Sequence, residues 1–473
     1  MLSELRGLNE ECGVFGIWGH ENAAQMAYYG LHALQHRGQE AAGICTVHDD
    51  HLLIEKGEGL VNDVFHGDRL NKLPGHAAIG HVRYTTDGGR GIENVQPLVF
   101  RSTTGSLAIA HNGNVTNASE LKRHLERQGS IFQSTSDTEV LAHLIKKNIS
   151  YPQNERLKKA LAQLQGAFAF VLLTEDALYV AQDPNGMRPL SLGCIGGETW
   201  VVASETSAFD LIGAETVRSV EPGELVIIDD KGIRSDRFAP KANRAICSME
   251  YIYFSRPDSD IDGINIHMAR KRLGKRLAQE VKIDADVVTG VPDSSISAAI
   301  GFAEESGIPY EMGLIKNRYV GRTFIQPSQE LRERGVKMKL SPVRQVVEGK
   351  RVVMVDDSIV RGTTSKKIVK MLRDAGAKEI HVVISAPPLI APCFYGVDIS
   401  TDSELIATGR TTEEICELIG ADSLQFLSAK GLVEAVGRND EDPNRGHCLG
   451  CFTGNYPTNI FADTKLPHEK ELV

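Results

Sequence analysis

Residues Arg351–Ser365 read RVVMVDDSIVRGTTS. The unbroken apolar run VVMV reads as a strand of a parallel sheet covered on both faces, because a half-exposed strand would alternate. It ends in Asp356-Asp357, and open α/β sheets bind ligands beyond the carboxyl ends of their strands. Two adjacent carboxylates there suit a hydroxyl-rich sugar and a hard divalent cation such as Mg²⁺. Arg361-Gly362-Thr363-Thr364-Ser365 then forms a small polar turn opening a helix. Backbone N–H groups, hydroxyls and the positive helix end make an anion site of such a turn.

Working outward, the flanking sequence repeats the same grammar. It predicts helices at Ile264–Val281, Ser295–Glu305 and Thr364–Ala375, and strands at Asp286–Gly290, Tyr310–Leu314, Arg351–Val355 and Glu379–Ile384. A further helix is expected at Thr412–Ile419. The loop Gly290-Val291-Pro292-Asp293-Ser294-Ser295 also joins a strand to a helix. Between the two loops, Lys316–Lys339 carries seven basic residues against Glu330 and Glu333. A long basic loop with little periodicity, beside an anion site, is expected to act as a lid.

Before residue 235 the grammar is different. Short β-rich runs (Gly13–Trp18, Leu107–His111, Ala167–Leu173, Leu178–Gln182, Trp200–Ser204, Leu225–Ile228) are separated by helical patterns at Ala23–Gln35, Ala118–Arg127, Thr138–Lys147 and Glu155–Leu164. Short turns between successive strands argue antiparallel sheets with helices packed outside. At 473 residues the chain has room for two or three domains. Its net charge of −10 leaves no bulk electrostatic footprint for nucleic acid. No apolar run approaches the roughly 18 residues of a membrane span. The start, MLSELRGLNEE, lacks a basic region and apolar core, so the chain is expected to be cytoplasmic.

Eight cysteines are too few for a disulfide scaffold in a chain of this length. Cys448-Leu449-Gly450-Cys451 reads as a ligand pair, since two thiolates three residues apart can face one centre. Cys45, Cys194 and Cys416 lie in apolar or helical patterns and read as core. Cys247 follows the domain boundary, and Cys393 sits in a Pro-flanked loop. Spacing alone does not choose the second pair. Four sulfurs suit structural zinc or a [4Fe–4S] cluster, and the absence of compact cluster-binding runs leans toward zinc.

The Asp356–Ser365 segment resembles the phosphoribosyl-pyrophosphate (PRPP) motif of type I phosphoribosyltransferases. The resemblance implies that Asp356 and Asp357 hold the ribose hydroxyls and, with Ser294, one Mg²⁺. Arg361, Gly362, Thr363, Thr364 and Ser365 would hold the 5′-phosphate, and Asp293, Ser294 and Ser295 the pyrophosphate. In the first half, Cys12 with His36-Arg37-Gly38-Gln39-Glu40, Gly80-His81-Val82-Arg83-Tyr84-Thr85, Ala110-His111-Asn112-Gly113-Asn114 and Ser136-Asp137-Thr138-Glu139 resembles class II (N-terminal nucleophile) glutamine amidotransferases. A terminal thiol can use its own α-amine, which titrates at about 7.7–8.0, as general base. Cys12 would be the nucleophile, and Asn112 and Gly113 the oxyanion hole. Arg37, Arg83 and Asp137 would bind glutamine.

The pairing resembles the glutamine PRPP amidotransferase family over nearly the whole chain. Sugar-isomerase and ATP-pyrophosphatase motifs of other class II relatives are not found. The resemblance implies an αββα N-terminal nucleophile domain at 12–240, an α/β phosphoribosyltransferase domain at 241–400 and a C-terminal segment at 401–473. It further implies 5-phosphoribosylamine as product, a homotetramer, and feedback inhibition by purine nucleotides. One branch of the family has a propeptide and a [4Fe–4S] cluster. On that likeness, Met1–Glu11 is a propeptide and Cys247, Cys393, Cys448 and Cys451 hold the cluster.

Overall fold

The computed structural model describes residues 12–84, 91–317, 340–399, 404–438 and 446–460. The propeptide at 1–11 and all but the first two residues of the expected lid lie outside these.

The first domain stacks two antiparallel sheets between helices. One sheet has the strand order Glu215–Ser219, Ser191–Ile195, Thr199–Ala203, Gly13–Trp18, Ala77–Arg83, Ala41–His48, His51–Glu58. The other runs Gly232–Arg237, Glu224–Asp229, Leu178–Gln182, Gly166–Leu173, Leu107–Val115, Leu98–Phe100. Period-2 alternation puts Val14 and Trp18 into the core between the sheets, against Ala108, Val171 and Leu178. Phe15 and Ile17 point the other way, under the helices Ala23–Ala33 and Ser207–Ile212. The second sheet is covered by helices Ala118–Arg127, Glu139–Lys147 and Gln153–Leu161. Strand Gly13–Trp18 is therefore buried on both faces along its whole length, which fixes its first residue in place.

The second domain is built on a parallel sheet in the order Val287–Gly290, Arg351–Asp356, Glu379–Ile384, Ser423–Phe426. Helices Ile266–Glu280 and Ile296–Ser306 meet closely through Gly274 and Gly301. A Cβ on Gly274 would lie 1.8 Å from the Ala298 carbonyl oxygen, and one on Gly301 would lie 1.9 Å from that of Lys271.

Two expectations change here. Tyr310–Leu314 is not a strand: Tyr310 makes a single bridge to Val288, and the strand is Leu314–Lys316, paired with Leu340–Pro342. The segment after residue 400 is not a separate unit. Its strand Ser423–Phe426 extends the parallel sheet, and its helix Ala429–Val436 packs on Ile266–Glu280. A two-residue parallel pairing, Ile246–Cys247 with His447–Cys448, closes the domain's two ends on each other. Among the described residues no helix is long and apolar enough to cross a membrane.

Candidate functional site

In the first domain, antiparallel pairing sets Gly13 opposite Val82, which brings Arg83 beside Cys12. The Cys12 thiol donates to the Tyr84 carbonyl at 3.5 Å. On the facing sheet, Asn112 and Gly113 lie inside strand Leu107–Val115, paired with Ala169 and Phe168. The strand continues through Asn-Gly instead of turning there. Gly113 has φ +134°, and a Cβ on it would fall 2.1 Å from the Ala167 carbonyl oxygen. Only glycine fits. The buried Asn112 side-chain amide nitrogen has no hydrogen-bond partner among the described residues. A buried donor left unsatisfied costs free energy, so this one awaits an acceptor.

The two sheets are stitched at this level. His81 Nε2 lies 3.0 Å from the His111 carbonyl oxygen. A carbonyl only accepts, so Nε2 carries the hydrogen, and burial holds the ring neutral by pushing its pKa down to about 3. Asp137 accepts from the Val115 N–H at 2.8 Å and faces His111 Nδ1 at 3.7 Å. Burial alone would raise the Asp137 carboxyl. His111 and the N–H groups of Val115 and Thr138 more than offset that and hold it below its ordinary value. A charged carboxylate beside this strand suits an ammonium group.

Arg37 does not present itself to a substrate. It is 1% exposed. Its Nε donates to the Cys12 carbonyl at 3.3 Å, and its other nitrogens bind Glu205 at 2.6 Å and Glu250 at 2.7 Å. Its guanidinium is occupied, behind the expected nucleophile, by two buried carboxylates. Sequence reading passed over Glu205 and Glu250, and gave His111 no role of its own. The available signal was a lone charge in an apolar run, as in Ser248-Met249-Glu250-Tyr251-Ile252-Tyr253-Phe254: a carboxylate there is buried and must be paired.

In the second domain Asp356 and Asp357 sit at the carboxyl end of a central strand, each 7% exposed. Ser295 Oγ donates to Asp356 at 3.1 Å, Ser294 Oγ donates to Asp357, and Ser358 Oγ donates to Asp357 at 2.7 Å. Burial raises both carboxyls, and the Asp357 charge raises Asp356 further. Two adjacent carboxylates raised in this way suit a divalent cation. The pyrophosphate-loop candidate Asp293 pairs with Lys316, the first residue of the expected lid, at 2.7 Å. Gly362 has φ +72° and precedes helix Thr363–Asp374; Ser365 is buried in its first turn. Arg361 pairs with Glu404 at 2.7 Å.

Cys247, Cys393, Cys448 and Cys451 line one cavity, together with Arg188, Tyr395 and Tyr456. None of the four is in a disulfide. Burial drives the Cys448 thiol up to about 12 and raises Cys451 as well, with neighbouring sulfurs adding to the effect. Among the described residues, no three His, Cys, Asp or Glu converge on a single metal-ion position. Cys45 is core, as expected.

Comparison with known proteins covers both halves. A glutamine amidotransferase domain model matches residues 84–211, and a phosphoribosyl transferase domain model matches 260–389. The chain is 65% identical to amidophosphoribosyltransferase of Bacillus subtilis (strain 168), over 100% of this chain and 99% of that protein. It is 53% identical to amidophosphoribosyltransferase of Staphylococcus aureus (strain N315), over 96% and 92%. Among solved structures, glutamine PRPP amidotransferase from B. subtilis complexed with ADP and GMP superposes with TM-score 0.92 at 64% identity, covering 97% of this chain and 100% of that one. A structure described as the allosteric regulatory enzyme of purine biosynthesis gives 0.93 at 65%, covering 98% and 99%.

Proposed function

The chain belongs to the amidophosphoribosyltransferase family, and from that premise we propose how its two sites divide the reaction. The enzyme converts glutamine, PRPP and water to 5-phosphoribosylamine, glutamate and pyrophosphate, the first committed step of purine synthesis. The observation that carries the division of labour is the unpartnered Asn112 amide on the strand facing Cys12, in a different domain from the Asp356–Asp357 pair.

Arg83 takes the glutamine α-carboxylate, as a fork of donors suits a carboxylate. Asp137 takes the α-ammonium. The Cys12 sulfur, its proton passed to the α-amine of the same residue, attacks the side-chain amide carbon. The oxyanion that forms is met by the Asn112 amide and the Gly113 N–H; losing one such donor costs about 10²–10³ in turnover. Ammonia leaves, and water releases glutamate from the thioester. This chemistry needs a free Cys12 amine, so Met1–Glu11 is removed by cleavage after Glu11.

Ammonia then displaces pyrophosphate from C1 of PRPP. Asp356 and Asp357 hold the ribose hydroxyls, Asp293–Ser295 the pyrophosphate and Arg361–Ser365 the 5′-phosphate. One Mg²⁺ on Asp356, Asp357 and Ser294 would neutralise the pyrophosphate charge. The basic segment Lys316–Lys339 closes over PRPP and excludes water, and PRPP binding activates glutamine hydrolysis. Cys247, Cys393, Cys448 and Cys451 hold one structural [4Fe–4S] cluster. Four cysteines lining one cavity suit such a cluster. The working form is a cytoplasmic homotetramer regulated by purine nucleotides, in keeping with the ADP and GMP of the B. subtilis complex.

The test supplies glutamine and PRPP separately and together, and measures glutamate and pyrophosphate. Both products should appear in equal amounts only when both substrates are present. Anaerobically purified protein should be brown, with about four iron and four sulfide per chain; colourless, fully active protein holding one zinc would overturn the cluster.

A further inference from the structure

The junction of the two domains holds charged side chains with no access to water. Arg37, Glu205, Glu250 and Arg188 each have side chains 0% exposed. Arg37 and Glu205 belong to the first domain. Glu250 opens a π-helical turn, Glu250–Phe254, at the start of the second. Arg37 binds Glu250 through two nitrogens, at 2.7 and 3.0 Å, while its Nε holds the Cys12 carbonyl. Glu205 accepts from second-domain groups, the Arg256 N–H at 2.9 Å and the Ser259 hydroxyl at 2.7 Å.

The turn is gripped from its other side. Arg270, on helix Ile266–Glu280, donates to the carbonyls of Tyr251 at 2.9 Å and Ser255 at 2.8 Å. The Ser255 hydroxyl donates to Glu250 at 2.6 Å. The same helix reaches the PRPP loop: His267 Nδ1 lies 2.9 Å from the hydroxyl of Ser297, two residues after Ser295, whose own hydroxyl donates to Asp356 at 3.1 Å. Hydrogen bonds, joined by the Ser295–Ser297 backbone and helix Ile266–Glu280, therefore link the PRPP carboxylates to the backbone of the nucleophile.

Stability does not account for this arrangement. Buried ion pairs are often no better than a well-packed apolar set of the same volume, and their best-attested use is as a register or switch device. π-helical turns are rare and gather at functional sites. We propose that the Arg37–Glu250 pair positions Cys12 on behalf of the second domain, and that Arg270 and the π-helical turn carry occupancy at Asp356–Asp357 to that pair. The inference rests on the reading that PRPP activates glutamine hydrolysis, and names the residues through which it does so.

The test uses the full-length enzyme and Glu250→Gln, which keeps volume and removes charge. Glutaminase turnover and the rate of Cys12 alkylation by iodoacetamide are each measured with and without PRPP and Mg²⁺, alongside ammonia-dependent synthesis. In the variant the PRPP stimulation ratio should fall at least fivefold by both readouts, with ammonia-dependent synthesis within about twofold of wild type. A merely structural role would lower all rates together and leave the ratio alone. Wild-type protein that shows no stimulation sinks the activation reading and this inference with it. Stimulation that is equal in wild type and variant sinks this inference alone. If Glu250→Gln does not fold, Arg270→Lys decides: it keeps the charge but loses the grip on two carbonyls, and an unchanged ratio there overturns the relay.

Discussion

His111 touches no substrate in the proposed reaction, yet its ring decides what Asp137 can do. It stacks on Phe170 at 4.3 Å and turns Nδ1 toward Thr138 and Asp137. Because the Asp137 carboxyl is held low, its charge is present above the ordinary carboxylate value and survives acidification until pH falls through the lowered one. Glutamine KM should therefore stay flat as pH drops through 5. In His111→Asn burial has less opposition, the carboxyl rises, and KM should climb at higher pH. Where that carboxyl is protonated, losing one charge-assisted contact of ~1.5 kcal/mol would raise KM about tenfold, with kcat changed less; steady-state kinetics across pH 5–8 checks both. Cys12→Ala should abolish glutamine use and spare ammonia-dependent synthesis, read by pyrophosphate release with each nitrogen donor. Cys12, Arg83, Asn112, Gly113, Asp356 and Asp357 stand out as candidates in the sequence because motif order and chemistry coincide. The surroundings of Arg37 do not, because the string His-Arg-Gly-Gln gives no sign of which carboxylates will meet its guanidinium from Glu205 and Glu250, far along the chain.

At the scale of elements, strands with Gly or Asp boundaries were readable almost to the residue, as at Gly13–Trp18 and Leu178–Gln182. Ala41–His48 went unread as a strand. Sandwiched in a buried sheet, it shows no alternation, and its Ala and Gly residues carry little β-propensity. Tyr310–Leu314 failed for the opposite reason: its apolar ends suggested pairing, but Gly313 and the tight link to Val288 break the run. The close helix pair offers a sharp test. Alanine is intrinsically better than glycine in a helix by about 1 kcal/mol. At Gly274, however, the new Cβ meets backbone, the Ala298 carbonyl, which cannot step aside as a side-chain tip could. Overpacking of this kind costs about 1–3 kcal/mol. Gly274→Ala should therefore lower the melting temperature by several degrees; a rise would mean the helices can slide apart freely.

Across the whole molecule, the four-cysteine cavity and the oxyanion strand are neighbours. The Asn114 side chain donates to the Phe394 carbonyl at 2.9 Å, and Arg188 donates to the Tyr395 carbonyl at 2.5 Å. Gly396 approaches so near that a Cβ on it would stand 3.2 Å from Gly113. The loop carrying Cys393 thus presses on the residues that would stabilise the oxyanion. Removing the metal group with a chelator under reducing conditions should cost glutamine-dependent synthesis at least tenfold before ammonia-dependent synthesis halves. Parallel loss of the two activities would show that the cavity supports the fold alone. Spacing in the sequence singled out Cys448 and Cys451, and only likeness to a family chose Cys247 and Cys393 to join them. Contacts between a loop near residue 395 and a strand near 113 leave no trace in local pattern.

The pairing of Cys247 with Cys448 also has a consequence in time. Ser248 donates to the Cys448 carbonyl 200 positions further along. Contacts so distant in sequence bear a large loop-closure cost and form late, after the sheet between them has assembled. A chain folding in that order would have its parallel sheet in place before the vault that joins Cys247 to Cys448 closes. Whatever fills the vault arrives as its keystone, after the walls are up, and thiol damage is chiefly a hazard of the molecule's youth.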